Sequence, residues 1–210
     1  MIFLKNQYLE KINPVLDEPV FVKMRKLAEE QNIPIITEDG IHLLLQLVQI
    51  GKVKRVLEIG TAIAYTCIVL SKTSNIEVVS IERNPEMITY AKSFISEAGV
   101  SSKVTVIDGD ALEIDEEKLG MFDLIFIDAA KAQYIKFFEK YEKTLLKGGV
   151  IVTDNLLFHG QVEDPSGIIS KNHKQLVRKI SHFNEWIVSQ EGYNSHIYEI
   201  GDGMGISIKK

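Results

Sequence analysis

Hydrophobic positions along this chain change their rhythm once, near residue 53. Before it, apolar residues recur at helical spacing through segments at 3–11, 18–31 and 38–50, punctuated by Pro14, Pro19 and Pro34, with Thr37 poised as the N-cap of the third. After it, short apolar runs alternate with longer amphipathic stretches. The runs at 53–59, 76–82, 103–108, 122–128 and 149–154 have strand length, and helices are expected at 63–73, 85–98, 131–146 and 171–190, with a weak one near 111–118. Such alternation predicts parallel strands joined by right-handed helical crossovers. The tail departs from it. HIYEI (196–200) and GISIK (205–209) flank Gly201-Asp202-Gly203, which reads as an antiparallel hairpin at the sheet edge. The expectation is an α/β fold: a seven-stranded, mostly parallel sheet in one domain spanning 1–210, with a helical extension (1–50) before the core (53–210).

Length and composition agree with one globular domain: 210 residues, 45% hydrophobic and 25% charged. The formal net charge of −5 argues against a general nucleic-acid coat but leaves room for a local basic patch. Cys67 is the only cysteine, so no intrachain disulfide can form, and its apolar helical surroundings suit a small core residue. The opening MIFLKNQYLEK meets charge too early for a secretory segment, and no apolar run has spanning length. A cytoplasmic protein with no membrane partner is expected.

The chemistry gathers at strand ends. LIFIDAAK (124–131) and GVIVTDN (149–155) are apolar runs closing on acids, and ligands of parallel sheets collect beyond the carboxyl ends of the strands. Asp128, Asp154 and Asn155 therefore converge on one rim, where three oxygen donors suit a hard cation such as Mg²⁺. Each acid alone reads equally well as a helix cap; two such strand ends together favour a shared site. On the other side, VLEIGTAIAYT turns from strand into helix through small residues at Gly60 and Ala62, which admit a ligand close to the backbone. GxGxxG is missing, which disfavours a dinucleotide and a dehydrogenase. Glu82 ends the next strand where a carboxylate can accept two ribose hydroxyls, and DGDAL sets Asp110 and Ala111 where an adenine edge can be read.

Taken together, VLEIGTA, SIERNPEM, GDALE, FIDAAKAQY, TDN and the closing GDGMGISIKK resemble the cation-dependent, S-adenosylmethionine-dependent O-methyltransferases, whose best-known members act on catechols. The resemblance runs from about residue 30 to the C-terminus and implies the Rossmann-like class I methyltransferase fold. It implies a methionine-binding loop at Glu58, Gly60, Thr61, Tyr65 and Thr66, a ribose acid at Glu82 and an adenine turn at Asp110 and Ala111, with Ile36 over the cofactor. It also implies metal ligands at Asp128 (which borders the cofactor as well), Asp154 and Asn155, and Lys131 as the catalytic base beside the cation. Ala64 stands where the family usually has glycine, so this turn should be stiffer than usual. A narrower resemblance, carried by FIDAAKAQYIKFFEKYEKTL, VIVTDNLLFHGQV and HFNEW, is to the bacterial tRNA 5-hydroxyuridine methyltransferases, which make 5-methoxyuridine at the wobble position.

That reading needs a surface for a tRNA anticodon loop. Lys171, Lys174 and Arg178 share one helical face, with His173 and Lys179 beside them and no acid within 171–180. A solvated helix face accounts for them equally well. Lys5, Lys11, Lys23, Arg25 and Lys26 form a second, diffuse basic region. His159 reads as a loop bystander, and Phe183 and Trp186 as core. A homodimer through the apolar helical extension is expected. Two other functions stay open: methylation of a small catechol-like phenol, and a silent nucleoside- or RNA-binding module, against which the set Asp128, Lys131, Asp154 and Asn155 argues.

Overall fold

The computed structural model describes residues 7–210. Three helices, α1 (Gln7–Ile12), α2 (Pro19–Gln31) and α3 (Glu38–Ile50), precede the alternating core. The expected first helix at 3–11 lies partly outside the described residues. Thr37 caps α3 as predicted, its hydroxyl accepting from Gly40 N–H at 3.2 Å. The core runs β1 (Arg55–Ile59), α4 (Tyr65–Ser74), β2 (Glu77–Glu82), α5 (Pro85–Glu97), β3 (Val104–Asp108), β4 (Phe122–Ile127), α6 (Tyr134–Tyr141), β5 (Leu145–Thr153), α7 (Lys171–Val188), β6 (Tyr193–Tyr198) and β7 (Met204–Lys209). Among the described residues no helix is long and apolar enough to cross a membrane.

All seven strands form one sheet in the order β3-β2-β1-β4-β5-β7-β6. The first five are parallel; β7 pairs antiparallel with β5 and with β6. Because successive side chains of a strand point to opposite faces, the sheet builds two cores. Val56, Val78, Leu124, Phe126 and Val152 pack under the α2–α5 layer. Leu57, Ile59, Ile81, Ile125, Ile127 and Ile151 pack on the other face with Tyr134, Phe138 and Phe183 of α6 and α7. Trp186 stacks on Phe183 with ring centroids 5.9 Å apart, so these aromatics do serve the core.

Three expectations need correction. The predicted helix over 131–146 is an α-helix only at Tyr134–Tyr141, with 3-10 turns at Lys131–Gln133 and Glu142–Thr144. β5 begins at Leu145, not 149, because Leu145 pairs with Phe122 and the register then shifts before Leu124. Gly149 permits that irregularity: a Cβ there would stand 2.9 Å from the Asp123 carbonyl and 2.8 Å from that of Leu146. The weak helix near 111–118 is a single 3-10 turn at Glu116–Leu119.

Strand order reverses at β1, whose neighbours are β2 on one side and β4 on the other. A crevice opens beyond the carboxyl ends at such a reversal, and it is there that most of the predicted residues meet.

Candidate active site

A cavity of about 470 Å³ occupies that crevice. Gly60, Ala62, Glu82 and Ala111 line it from the β1–β3 ends, Asp128, Lys131 and Asn155 from the β4–β5 ends, and Asn32–Ile35 from the segment before α3. Seven predicted residues thus share one wall-to-wall space.

The turn after β1 is shaped for close approach. Gly60 has φ +101, and a Cβ there would lie 2.1 Å from the Asp128 carbonyl oxygen, so no other residue fits. Ala62 (φ 45) and Ala64 (φ 68) also occupy the left-handed region, where an alanine costs roughly 1 kcal/mol. The stiffness expected of Ala64 is accompanied by real backbone strain. Glu82 steadies this turn: its Oε2 accepts from Ala62 N–H at 3.0 Å, while Oε1 accepts from the N–H groups of Arg83 and Asn84, each at 2.9 Å. Asp110 stands outside the lining residues. Its Oδ1 accepts from Leu112 N–H at 2.9 Å and its Oδ2 pairs with Arg83 at 3.0 Å, which hold the carboxyl below its usual range. The Ala111 carbonyl accepts from Tyr141 Oη at 2.6 Å, fixing the turn from below.

Besides Asp110, five of the expected cofactor residues do not reach the cavity lining. Glu58 is 2% exposed, and its Oε2 accepts from Cys67 Sγ at 2.5 Å and Ser80 Oγ at 2.6 Å. Burial pushes its pKa up to about 7, and the Asp128 charge adds to the shift. Thr61 is buried against Ser80 at 2.6 Å, and Thr66 is buried on α4. Tyr65 turns away, its hydroxyl accepting from Arg25 Nη1 at 2.9 Å. Ile36 is buried beside the lining segment. These side chains form the support beneath the turn.

Behind the opposite wall, and outside the lining itself, Asp154 is 3% exposed, and its Oδ1 accepts from Asn155 N–H at 2.7 Å. Burial and the nearby Asp128 push it up to about 7; Asp128 is raised as well, by burial, with Lys131 pulling the other way. Lys131 Nζ donates to Asn155 Oδ1. Asn155 itself has φ 64. Two carboxylates pushed towards neutrality, one amide oxygen and a single ammonium form a site short of positive charge. Among the described residues no three His, Cys, Asp or Glu side chains gather to bind a metal; the donor set here is two carboxylates and an amide, which suits an oxygen-seeking divalent cation.

Sequence reading missed Arg83, Phe158 and Tyr134. Arg83 follows the strand-end acid and pairs with Asp110. The Phe158 ring lies 6.0 Å from Lys131 Nζ and meets the His173 ring at 5.3 Å. Tyr134 Oη donates to the Asp154 carbonyl at 2.9 Å. Lys171, Lys174 and Arg178 lie exposed on α7 and make no ion pair among the described residues. Lys174 and Arg178 line a second cavity of about 370 Å³ together with Ser166, Ser181 and the buried Val177. Most of the described N-terminal basic region is paired: Lys23 with Glu97, Lys26 with Glu30, and Arg25 with Tyr65 and the Leu16 carbonyl, whereas Lys11 is exposed. Lys5 lies outside the described residues.

A doubly wound sheet with a glycine turn, a strand-end acid and paired carboxylates across one crevice defines a nucleotide-type α/β enzyme. Comparison makes this specific: the O-methyltransferase family model matches residues 11–210, and the chain belongs to that family. A catechol O-methyltransferase of Niastella koreensis is 27% identical over 99% of this chain and 100% of its own. A candidate caffeoyl-CoA O-methyltransferase from Staphylococcus aureus is 39% identical and superposes with a TM-score of 0.88 over 97% of this chain and 96% of that one. The Bacillus cereus O-methyltransferase in complex with SAH is 27% identical, with a TM-score of 0.82 over 97% and 96%.

Proposed function

We propose that this chain transfers the methyl group of S-adenosylmethionine to the 5-hydroxyl of 5-hydroxyuridine at the tRNA wobble position, in the cytoplasm. The cofactor would lie along Gly60, Glu82 and Ala111, the half of the cavity with a close-approach turn and an oriented carboxylate. Support for this cofactor comes from family membership and from the SAH complex of the B. cereus relative. Asp128, Asp154 and Asn155 would hold a divalent cation such as Mg²⁺, which when bound makes an oxygen nucleophile more acidic and fixes its direction. The protein's own part is alignment and proton transfer. In-line displacement would move the methyl from the sulfonium to the acceptor oxygen and leave S-adenosylhomocysteine, and Lys131, held at Asn155 Oδ1, would take up the hydroxyl proton as a neutral amine, after its own ammonium proton has passed to solvent.

The observation that carries the tRNA reading is the face of α7. Lys171, Lys174 and Arg178 belong to the helix whose His173 packs against Phe158, beside Lys131. Arg178 is five residues beyond His173, about 7.5 Å further along the helix axis. An anticodon loop is unpaired and can present its base without melting a duplex. The exposed apolar Ile12, Val15 and Val22 support a homodimer through the helical extension, which sedimentation would test. A second reading, methylation of a small catechol-like phenol, is favoured by the 27% identity to the Niastella enzyme.

The two readings separate in one experiment: 5-hydroxyuridine-containing tRNA and catechol compared as acceptors under identical conditions. The tRNA reading expects efficient methylation of the RNA, with a KM that climbs with salt and climbs again in Lys174→Glu/Arg178→Glu. Efficient methylation of catechol with none of the tRNA would overturn it.

A further inference from the structure

The closing GDGMG motif has no part in the site as drawn, yet its turn lies between two of the cavity's walls. After β5 the chain bends sharply: Asn155 (φ 64), Phe158 (φ 48) and His159 (φ 57) all lie in the left-handed region. Three such residues within five positions, none of them glycine, persist only where the surroundings dictate the conformation. The β6–β7 turn supplies those surroundings. Leu156 N–H donates to the Gly203 carbonyl at 2.9 Å and Leu157 N–H to the Asp202 carbonyl at 2.8 Å. His159 N–H donates to Asp202 Oδ1 at 2.5 Å, and His159 Nδ1 stands 3.6 Å from Asp202 Oδ2. The Asp202 side chain is only 15% exposed, whereas that of His159 is 76% exposed, so the backbone bond, not the imidazole, is the sheltered contact. Gly203 (φ +89) presses on the same loop: a Cβ there would lie 2.5 Å from Leu157 Cγ and 2.8 Å from its nitrogen.

The other side of the turn meets the cofactor wall. A Cβ on Gly201 (φ +59) would fall 2.5 Å from Thr37 Oγ1, the hydroxyl that caps α3 next to the lining segment Asn32–Ile35. We infer that Gly201-Asp202-Gly203 is a brace between the two walls, and that Asp202 is a positioning residue for the acceptor. Through His159 N–H, Asp202 holds the 155–160 loop in its strained path and so sets where Asn155 meets Lys131 and where Phe158 stands over it. Among the described residues the hydrogen bonds and ion pairs of Asp202 run to the 155–160 loop, at Leu157 and His159, so its influence should fall on the acceptor side. The inference rests on the proposed placement of the acceptor beside Lys131, but not on which acceptor it is.

The test compares Asp202→Ala with Asp202→Asn, because asparagine keeps an oxygen able to accept from His159 N–H. Hydrogen exchange comes first, since it needs no substrate. Asp202→Ala should speed exchange of the 156–160 amides at least tenfold while β1 and β4 stay protected; Asp202→Asn should restore most of that protection. Titration calorimetry should find S-adenosylmethionine affinity within twofold of wild type in both variants. With whichever of 5-hydroxyuridine-containing tRNA or catechol the wild type methylates, Asp202→Ala should raise the acceptor KM about tenfold and Asp202→Asn no more than about threefold. Unchanged exchange in Asp202→Ala would overturn the brace, and so would equal loss of cofactor affinity and acceptor KM. A fall in kcat that matches a fall in the folded fraction, with unchanged KM, would reduce Asp202 to a general stability role. Methylation of catechol only would overturn the tRNA reading while leaving each of these outcomes readable.

Discussion

Along the β1–β3 side of the crevice, the Glu82 carboxylate receives three backbone N–H groups, at 3.0, 2.9 and 2.9 Å. Across the cavity Asp154 receives one, from Asn155, and shares its buried surroundings with a second carboxylate, Asp128. The first acid is satisfied by the fold and can be aimed at a neutral hydroxyl partner at little cost. The second pair is not satisfied, and burial raises both acids above their ordinary range. One wall is therefore built to orient a ligand, and the other is built to receive positive charge. That division suits the proposed transfer from a cofactor on one wall to an acceptor held by a cation on the other.

The largest effect should come from the charge-poor wall. Chelation by EDTA should abolish turnover and added Mg²⁺ should restore it, while Asp154→Ala should lose turnover with cofactor affinity nearly unchanged. Full activity in strong chelator would show that both walls work without a cation. Next comes the base. Lys131→Met should lower kcat by about 10²–10⁴-fold, the usual span for a lost acid–base group, again sparing cofactor affinity. Retention of more than a tenth of wild-type kcat would mean that the proton leaves by another route.

On the orienting wall the effect should be smaller and should reverse its target. Glu82→Ala should weaken S-adenosylmethionine binding at least tenfold, about 1.4 kcal/mol, because a charged acceptor is lost. Calorimetry showing unchanged affinity would leave this wall without its assigned role.

The smallest effect lies beneath that wall. Glu58 has its pKa raised from 4.5 to about 7 in the folded protein, so between those values the native state holds a proton that the unfolded chain releases. Stability from this group is greatest at low pH and declines as pH rises towards 7. Glu58→Gln carries no such charge, so its stability relative to wild type should improve between pH 5 and pH 8 in urea titrations. A stability gap independent of pH would show that Glu58 titrates normally in the fold.

The order of strands and helices, the two-faced core and the convergence of Glu82, Asp128 and Asn155 were legible in the sequence. Apolar runs of strand length, ending in acids and separated by amphipathic segments, allow few other folds, and a strand's carboxyl end has one destination in a parallel sheet. Gly60 was legible as a close-approach position, but its place in the sequence assigned that room to a ligand, whereas in the fold it is the Asp128 carbonyl that a Cβ there would meet. What the sequence alone left undecided was the direction of side chains at the rim. Glu58 faces Cys67 and Ser80, and Tyr65 faces Arg25, because partners 9, 22 and 40 residues away claim them once the layers pack. Leu145 joined β5 because Phe122 offered it a pairing partner that local propensity does not record. The path of residues 155–160 belongs to the tertiary structure most of all. No local preference puts Phe158 and His159 in the left-handed region; the hydrogen bonds of Asp202 and Gly203, more than forty residues along the chain, hold them there.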